Sequence, residues 1–204
     1  MTRFDYYELI QEWARERNFR GGATVFGQAR KLAEEFGEFI LHANKNKDTK
    51  DDIGDVLVVV TVIRYMMGLR APNKNIVLET PFTDGNHLFC NAHRGISSIL
   101  RQGLVMLEHS PNLDILEMEL DGLEETMVKI ALSFGFSPEE CLAVAWNDIK
   151  DRRGKMIDGR FIKESDLREA NIVDTLKDDC SSLCAAGEPC MVNDSGSCFS
   201  TSSD

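Results

Sequence analysis

Two short stretches concentrate the chain's acidic chemistry. KLAEEFGEF, residues 31–39, carries Glu34, Glu35 and Glu38, and DDIGDVLVVV, residues 51–60, carries Asp51, Asp52 and Asp55. Both have helical spacing, and on a helix residues three or four apart are surface neighbours. Glu34 and Glu35 therefore each face Glu38, and Asp52 faces Asp55. Like charges so placed cost a helix about 0.2–0.5 kcal/mol per pair, and bringing two such helices together costs more. A hard divalent cation offsets the repulsion. Mg²⁺ favours an octahedron of oxygens, and carboxylates one helical turn apart suit ions that keep positions open for water and phosphate oxygens. The bland alternative is a solvated acidic face. Against it, Glu35 and Glu38 lie beside the apolar positions Leu32, Phe36 and Phe39, and Asp52 and Asp55 lead into the most apolar run in the chain, with Gly54 permitting close approach. A di-iron carboxylate bundle needs Glu-x-x-His on two helices. Here His42 follows Glu38 at four and His109 follows Glu108 directly, so neither fits.

The elements that must position these acids read as all-α. A first helix is predicted at about 4–17, with Tyr7, Ile10, Trp13 and Ala14 on one side, and NFRGGAT breaks it. From Val25 to about Asn44, the residues Ala29, Leu32, Phe36, Phe39 and Ile40 make an amphipathic stripe. The next helix starts near Lys50, acidic at its N-terminus where the helix dipole favours anions and apolar all round beyond. Such a helix belongs at the centre of a bundle or in a subunit interface. RAPNKNIVLETPFTDGN reads as a loop, and helical spacing resumes in HLFCNAHRGISSILRQGLVMLEH. NLDILEMELDGLEETMVKIALSFG places Leu113, Leu116, Leu120, Leu123, Met127 and Ile130 at helical intervals and stops at Gly135. SPEECLAVAWNDIKDRRG opens a last helix with a Ser cap, Pro in first position and two Glu in the first turn, ending at Gly154 behind basic residues. KMIDGRFIKESDL, with its DG turn, reads as a small hairpin or an extended arm.

The totals bound the function. Asp and Glu outnumber Lys and Arg 34 to 23 in 204 residues, for a formal net charge of −11. Duplex nucleic acid and anionic membranes are therefore disfavoured as partners, and a phosphate substrate needs a cation or a local basic cluster to approach. No apolar run approaches the roughly 20 residues of a membrane span, and the N-terminus has no apolar signal core, so the expected location is cytoplasmic. Four of the six cysteines, Cys180, Cys184, Cys190 and Cys198, fall in a Ser-, Asp- and Gly-rich tail, residues 174–204, expected to be disordered. Their spacing is not a common zinc pattern, and disulfides do not persist in a reducing cytosol.

EEFGE followed by DDIGD resembles the EExxE and ExxD signature of the MazG-like all-α nucleoside triphosphate pyrophosphohydrolases, a superfamily that includes the dimeric dUTPases. QARKLAEEFGEF resembles that family's helix leading into its first motif, and AWNDIKDRRGKMIDGRFIKESDL is similar to the closing segment of its short, phage-type members. The likeness covers roughly 10–70 and 137–167. Two departures stand out: Asp52 occupies a position usually held by Glu, and 71–115 exceeds what the short members carry, reading as an insertion over the site or as extra packing helices. The domain implied is 1–173.

The resemblance implies Mg²⁺, with Mn²⁺ as a substitute, held by Glu35, Glu38, Asp52 and Asp55. Glu34 and Glu35 would be catalytic, Glu34 orienting the attacking water. The reaction implied is hydrolysis of nucleoside triphosphates, dNTPs or non-canonical NTPs, to a monophosphate and pyrophosphate. A narrower dUTPase- or dCTPase-like enzyme and an inactive helical interaction protein are the alternatives. Lys31 and the cluster Lys150, Arg152, Arg153 and Lys155 are candidates for the outer phosphates, although cations at a helix C-terminus also merely complement its dipole. Asn147 is a candidate for ribose or base, and Trp13 or Trp146 for stacking, each against simple core packing. Arg64, inside an apolar run, reads as a buried ion-pair partner or interface residue. The all-apolar helix suggests a homodimer or homotetramer, since one short bundle does not readily bury it alone.

Overall fold

The computed structural model describes residues 1–69, 85–110, 112–157 and 159–167, together with the backbone of 190–192 and 198–200. It is all-α, built among these residues from α1 Arg3–Glu16, α2 Phe19–Gly22, α3 Val25–Asn44, α4 Lys50–Met67, α5 Gly85–Val105, α6 Leu113–Ser133 and α7 Pro138–Ile149, with a short helical turn at 164–167 and the short strands β1 Gly154–Ile157, β2 Arg160–Lys163, β3 Cys190–Val192 and β4 Cys198–Ser200. No described helix is long and apolar enough to cross a membrane. The chain forms two compact units, Met1–Phe161 and Ile162–Asp204.

In the first unit α4 is the central element. Its residues from Ile53 to Met66 are buried apart from Asp55 and Tyr65, covered by α1, α2, α3, α6 and α7. The chain thus buries its most apolar helix with its own elements. The packing that premised an oligomer is already satisfied within one chain.

Local signals explain the boundaries. Thr2 and Asp5 form a reciprocal capping box at α1, Thr24 accepts from the Gly27 N–H at 3.0 Å to start α3, and Ser137 and Glu140 form a second box at α7. α4 ends at Gly68, whose φ of 65° is the left-handed conformation that closes a helix cheaply only with glycine. Gly54 is the other glycine that the packing requires. A Cβ there would collide with the Cys141 carbonyl and stand 2.8 Å from Ala145 Cβ, so its absence lets α4 lie directly on α7.

Two expectations for the helices need correction. α7 stops at Ile149 rather than Gly154, with Lys150 as its cap, so Arg152, Arg153 and Lys155 lie beyond the helix. The residues that follow continue instead into β1, which pairs with β2. Leu113, assigned to the apolar face of α6, is exposed because it begins the first turn, before the helix meets its neighbours. Within 71–115, residues 85–105 form α5, which packs on α3 and α6 and contributes Leu88, Ala92, Ile96 and Ile99 to the core. Of the loop expected over 70–86, residues 70–84 lie outside the described residues, as do Cys180 and Cys184, while Gly85 and Asn86 already belong to α5. In the second unit the tail holds a β3–β4 antiparallel pair, with Cys190 opposite Ser200 and Val192 opposite Cys198.

Candidate active site

The acidic stretches lie on α3 and on the first turns of α4, and these helices pack together with α7 against α4. Glu35 is 6% exposed, whereas Glu34 and Glu38 face solvent. The difference follows from helical phase, because Glu35 falls beside Leu32, Phe36 and Phe39 on the buried stripe. Lys31, one turn earlier, places Nζ 2.7 Å from Glu35 Oε1 and 2.9 Å from Glu34 Oε1. Burial raises the proton affinity of the Glu35 carboxyl, Lys31 opposes that, and Glu38 and Glu34 add to it. Burial alone would lower the affinity of Lys31, but its hydrogen bonds to Glu35 and Glu34 hold it above its ordinary value.

On α4 the three aspartates divide. Asp52 is buried and turned to α3, with both carboxylate oxygens 2.9–3.0 Å from His42 Nδ1. Asp55 makes no hydrogen bond or ion pair among the described residues, and its pKa is pushed up to about 8. Burial is the first cause, then the charges of Glu35 and Asp51, with Arg152 acting in the opposite direction and Asp148 adding to the rise. Asp51 is raised too, by burial and then by Asp148 and Asp52, again against Arg152. Asp51 and Asp55 are one turn apart and share these influences. Thus Glu35 from α3, Asp51 and Asp55 from α4 and Asp148 from α7 act on one another, with Lys31 and Arg152 as the cations in their midst.

Of the four ligands implied for Mg²⁺, the structure couples Glu35 with Asp55, leaves Glu38 on the exposed side of α3 and engages Asp52 with His42. Among the described residues no group of three or more Asp, Glu, His or Cys side chains is arranged to hold a metal ion. The donor chemistry nevertheless suits a hard cation: the donors are carboxylate oxygens, those of Glu35, Asp52 and Asp55 are at least partly buried, and Asp55 has no hydrogen-bond or ion-pair partner among the described residues.

The other sequence candidates are placed as follows. Trp13 is 6% exposed in the core, its ring 5.3 Å from Phe19 and 5.8 Å from Phe161 between centroids, with the Arg17 guanidinium 4.7 Å above it. Those neighbours occupy the ring, which is the core packing that competed with a stacking role. Trp146 is half-buried against the core. Asn147 and Lys150 are exposed and hydrogen-bonded to each other, Lys150 Nζ donating to Asn147 Oδ1 at 3.0 Å. Arg153 and Lys155 are exposed, while Arg152 is partly buried and ion-paired with Asp148.

Asp148, Asp51 and His42 were missed as site residues. Asp148 and Arg152 are four apart, a spacing at which opposite charges on one helical path meet, so the pair was legible in the sequence. Asp51 and Asp55 are also four apart, but the motif spacing directed attention to Asp52.

No known family model matches the chain, and no solved structure matches it. Over 56 residues it is 43% identical to an uncharacterised 18.2 kDa protein encoded in the rep-hol intergenic region of Haemophilus phage HP1. That match covers 26% of this chain and 34% of the phage protein, so the chain spans about a third of the relative's length.

Proposed function

We propose that this chain is a Mg²⁺-dependent nucleoside triphosphate pyrophosphohydrolase that converts dNTPs or non-canonical NTPs to nucleoside monophosphates and pyrophosphate. One observation carries most of the support: Asp55, a carboxyl without a hydrogen-bond partner, has its pKa pushed up to about 8 by burial and by acidic neighbours from three helices. Clustered acids that serve only the fold are normally neutralised by their neighbours, and this one is left in need of positive charge.

Glu35, Glu38, Asp52 and Asp55 are the ligand set the family likeness implies, and Asp51 joins them by its place beside Asp55. When bound, the metal lowers the pKa of a water and offsets charge on the phosphoryl group. The chain's own residues do the rest. Glu34 and Glu35 orient the attacking water and accept its proton, and Lys31, released from them, contacts the phosphates. Asn147 and Lys150, exposed at the end of α7, would meet the nucleoside or the outer phosphate. The enzyme would work in the cytoplasm, with no need of duplex nucleic acid or membrane, as a homodimer or homotetramer.

The test is pyrophosphate release from a panel of canonical and modified triphosphates, with Mg²⁺, with Mn²⁺ and with chelator. Metal-dependent release supports the reading, and turnover confined to dUTP or dCTP selects the narrow variant. No release from any triphosphate in either metal leaves an inactive helical protein.

A further inference from the structure

Four cations follow α7 closely, and only one of them is built into the acidic site. Lys150, Arg153 and Lys155 are exposed. The Arg152 side chain is 23% exposed and ion-paired with Asp148, which is itself 58% exposed. Its partner Asp148 lies one turn beyond Ala145, the α7 residue that packs on Gly54 between Asp51 and Asp55, so the guanidinium is held at the α7 side of the first turns of α4. Its backbone is fixed as well. Arg17 Nε donates to the Arg152 carbonyl at 3.0 Å, and the same Arg17 lies over the Trp13 ring. The Arg152 N–H donates in turn to the Ile149 carbonyl at 2.8 Å. A side chain whose backbone is tethered at both the N–H and the carbonyl presents its charge at lower entropic cost than a free surface lysine does.

The structure assigns Arg152 as the phosphate-holding cation of this site, with Asp148 as an internal stand-in that occupies the guanidinium until a phosphate displaces it. This inference rests on the hydrolase reading above and deepens it. The planar guanidinium fork matches two phosphate oxygens as it matches a carboxylate, so an Asp–Arg pair four residues apart is the kind of contact a triphosphate can replace. Because Asp148 is more than half exposed, its hold is weak and screened, and displacing it costs little. A divalent ion at Asp51 and Asp55 would push in the same direction, since it neutralises the other acids that attract Arg152.

The two members of the pair should therefore respond with opposite signs. Calorimetry measures binding of magnesium alone and then of inorganic tripolyphosphate in saturating magnesium, a probe that needs no knowledge of the base. R152Q is expected to weaken tripolyphosphate binding at least about tenfold while leaving magnesium uptake in place. R152K, which keeps the charge without the fork, should fall between R152Q and the unaltered chain, and R153Q should lose less than R152Q. D148N should tighten tripolyphosphate binding by about twofold, the effect of removing a weak exposed competitor. If R152Q and R152K bind tripolyphosphate as the unaltered chain does, or if D148N fails to tighten it, the assignment is overturned while metal uptake by the unaltered chain leaves the hydrolase reading standing. If the unaltered chain takes up neither magnesium nor tripolyphosphate, both fail together.

Discussion

Helix α4 carries charge at both ends, and the two ends treat it differently. Near its C-terminus, Arg64 is 1% exposed and ion-paired with Asp121, with Nη2 3.6 Å from Glu124 Oε2. Burial raises the proton affinity of Glu124, and the Tyr7 hydroxyl, which donates to Oε1 at 2.6 Å, opposes that together with the charges of Arg64 and Arg3. Two guanidiniums meet two carboxylates, and the cluster balances. Near the N-terminus, Asp51 and Asp55 face Glu35 and Asp148 with Lys31 and Arg152 too few to neutralise them. The first cluster is closed and joins α1, α4 and α6. The second is open, and an open cluster of one sign in a packed bundle asks for a ligand of the other sign.

Substitutions at the two ends should therefore fail in different ways. The largest effect expected is on turnover: Asp55→Asn or Glu38→Gln should lower pyrophosphate release at least 100-fold, with helicity by circular dichroism unchanged. Near-normal turnover in either would remove that residue from the site. At the closed end, Arg64→Ala should cost about 3–5 kcal/mol in denaturant unfolding, because it strands buried Glu124, yet any protein that folds should keep its magnesium uptake. Loss of metal uptake in a folded Arg64→Ala protein would blur the distinction between the ends. Gly54→Ala, which pushes a methyl into α7, should cost about 1–3 kcal/mol and reduce activity by separating α4 from α7.

The smallest effect is a pH dependence in which the open end supplies the carboxyl displaced furthest from its ordinary range, Asp55. The Asp55 carboxyl titrates at about 8 in the fold against 3.8 unfolded, so between those values the folded chain binds the extra proton. Stability of the metal-free protein therefore falls as pH rises from about 4 towards 8. Asp55→Asn should flatten that decline, gaining about 1–2 kcal/mol at pH 8 after allowance for solvent screening and little at pH 4. Unfolding curves of the metal-free proteins at the two pH values check it, and parallel declines in both would place the unbalanced charge elsewhere.

Much of the architecture was legible in the residues because the signals were local and agreed. The stripe from Ala29 to Ile40, the cap at Ser137 and the glycine at 54 each specify one outcome, and α3 and α4 begin where the sequence says. Arg64 was likewise readable as a buried ion-pair partner, since an arginine inside an apolar run has few other fates. What escaped was tertiary. Which of Asp51 and Asp52 stands with Asp55 depends on where His42 of α3 arrives, and spacing alone does not say. The end of α7 at Ile149 reflects continuation into β1 rather than the glycine at 154. The sequence left the all-apolar α4 to the centre of a bundle or to a subunit interface, and only the fold shows α1 and α6 among the helices arranged around it.

The most direct measurement is titration calorimetry of the folded chain with magnesium and with manganese, before and after adding a non-hydrolysable nucleoside triphosphate analogue. Saturable uptake, strengthened by the analogue, lost in Asp55→Asn and kept in a folded Arg64→Ala protein, is expected if the open end of α4 is a metal-dependent phosphate site. Absence of uptake of either ion, with the analogue present, would contradict it and leave the acids of α3 and α4 as an uncompensated feature of the fold.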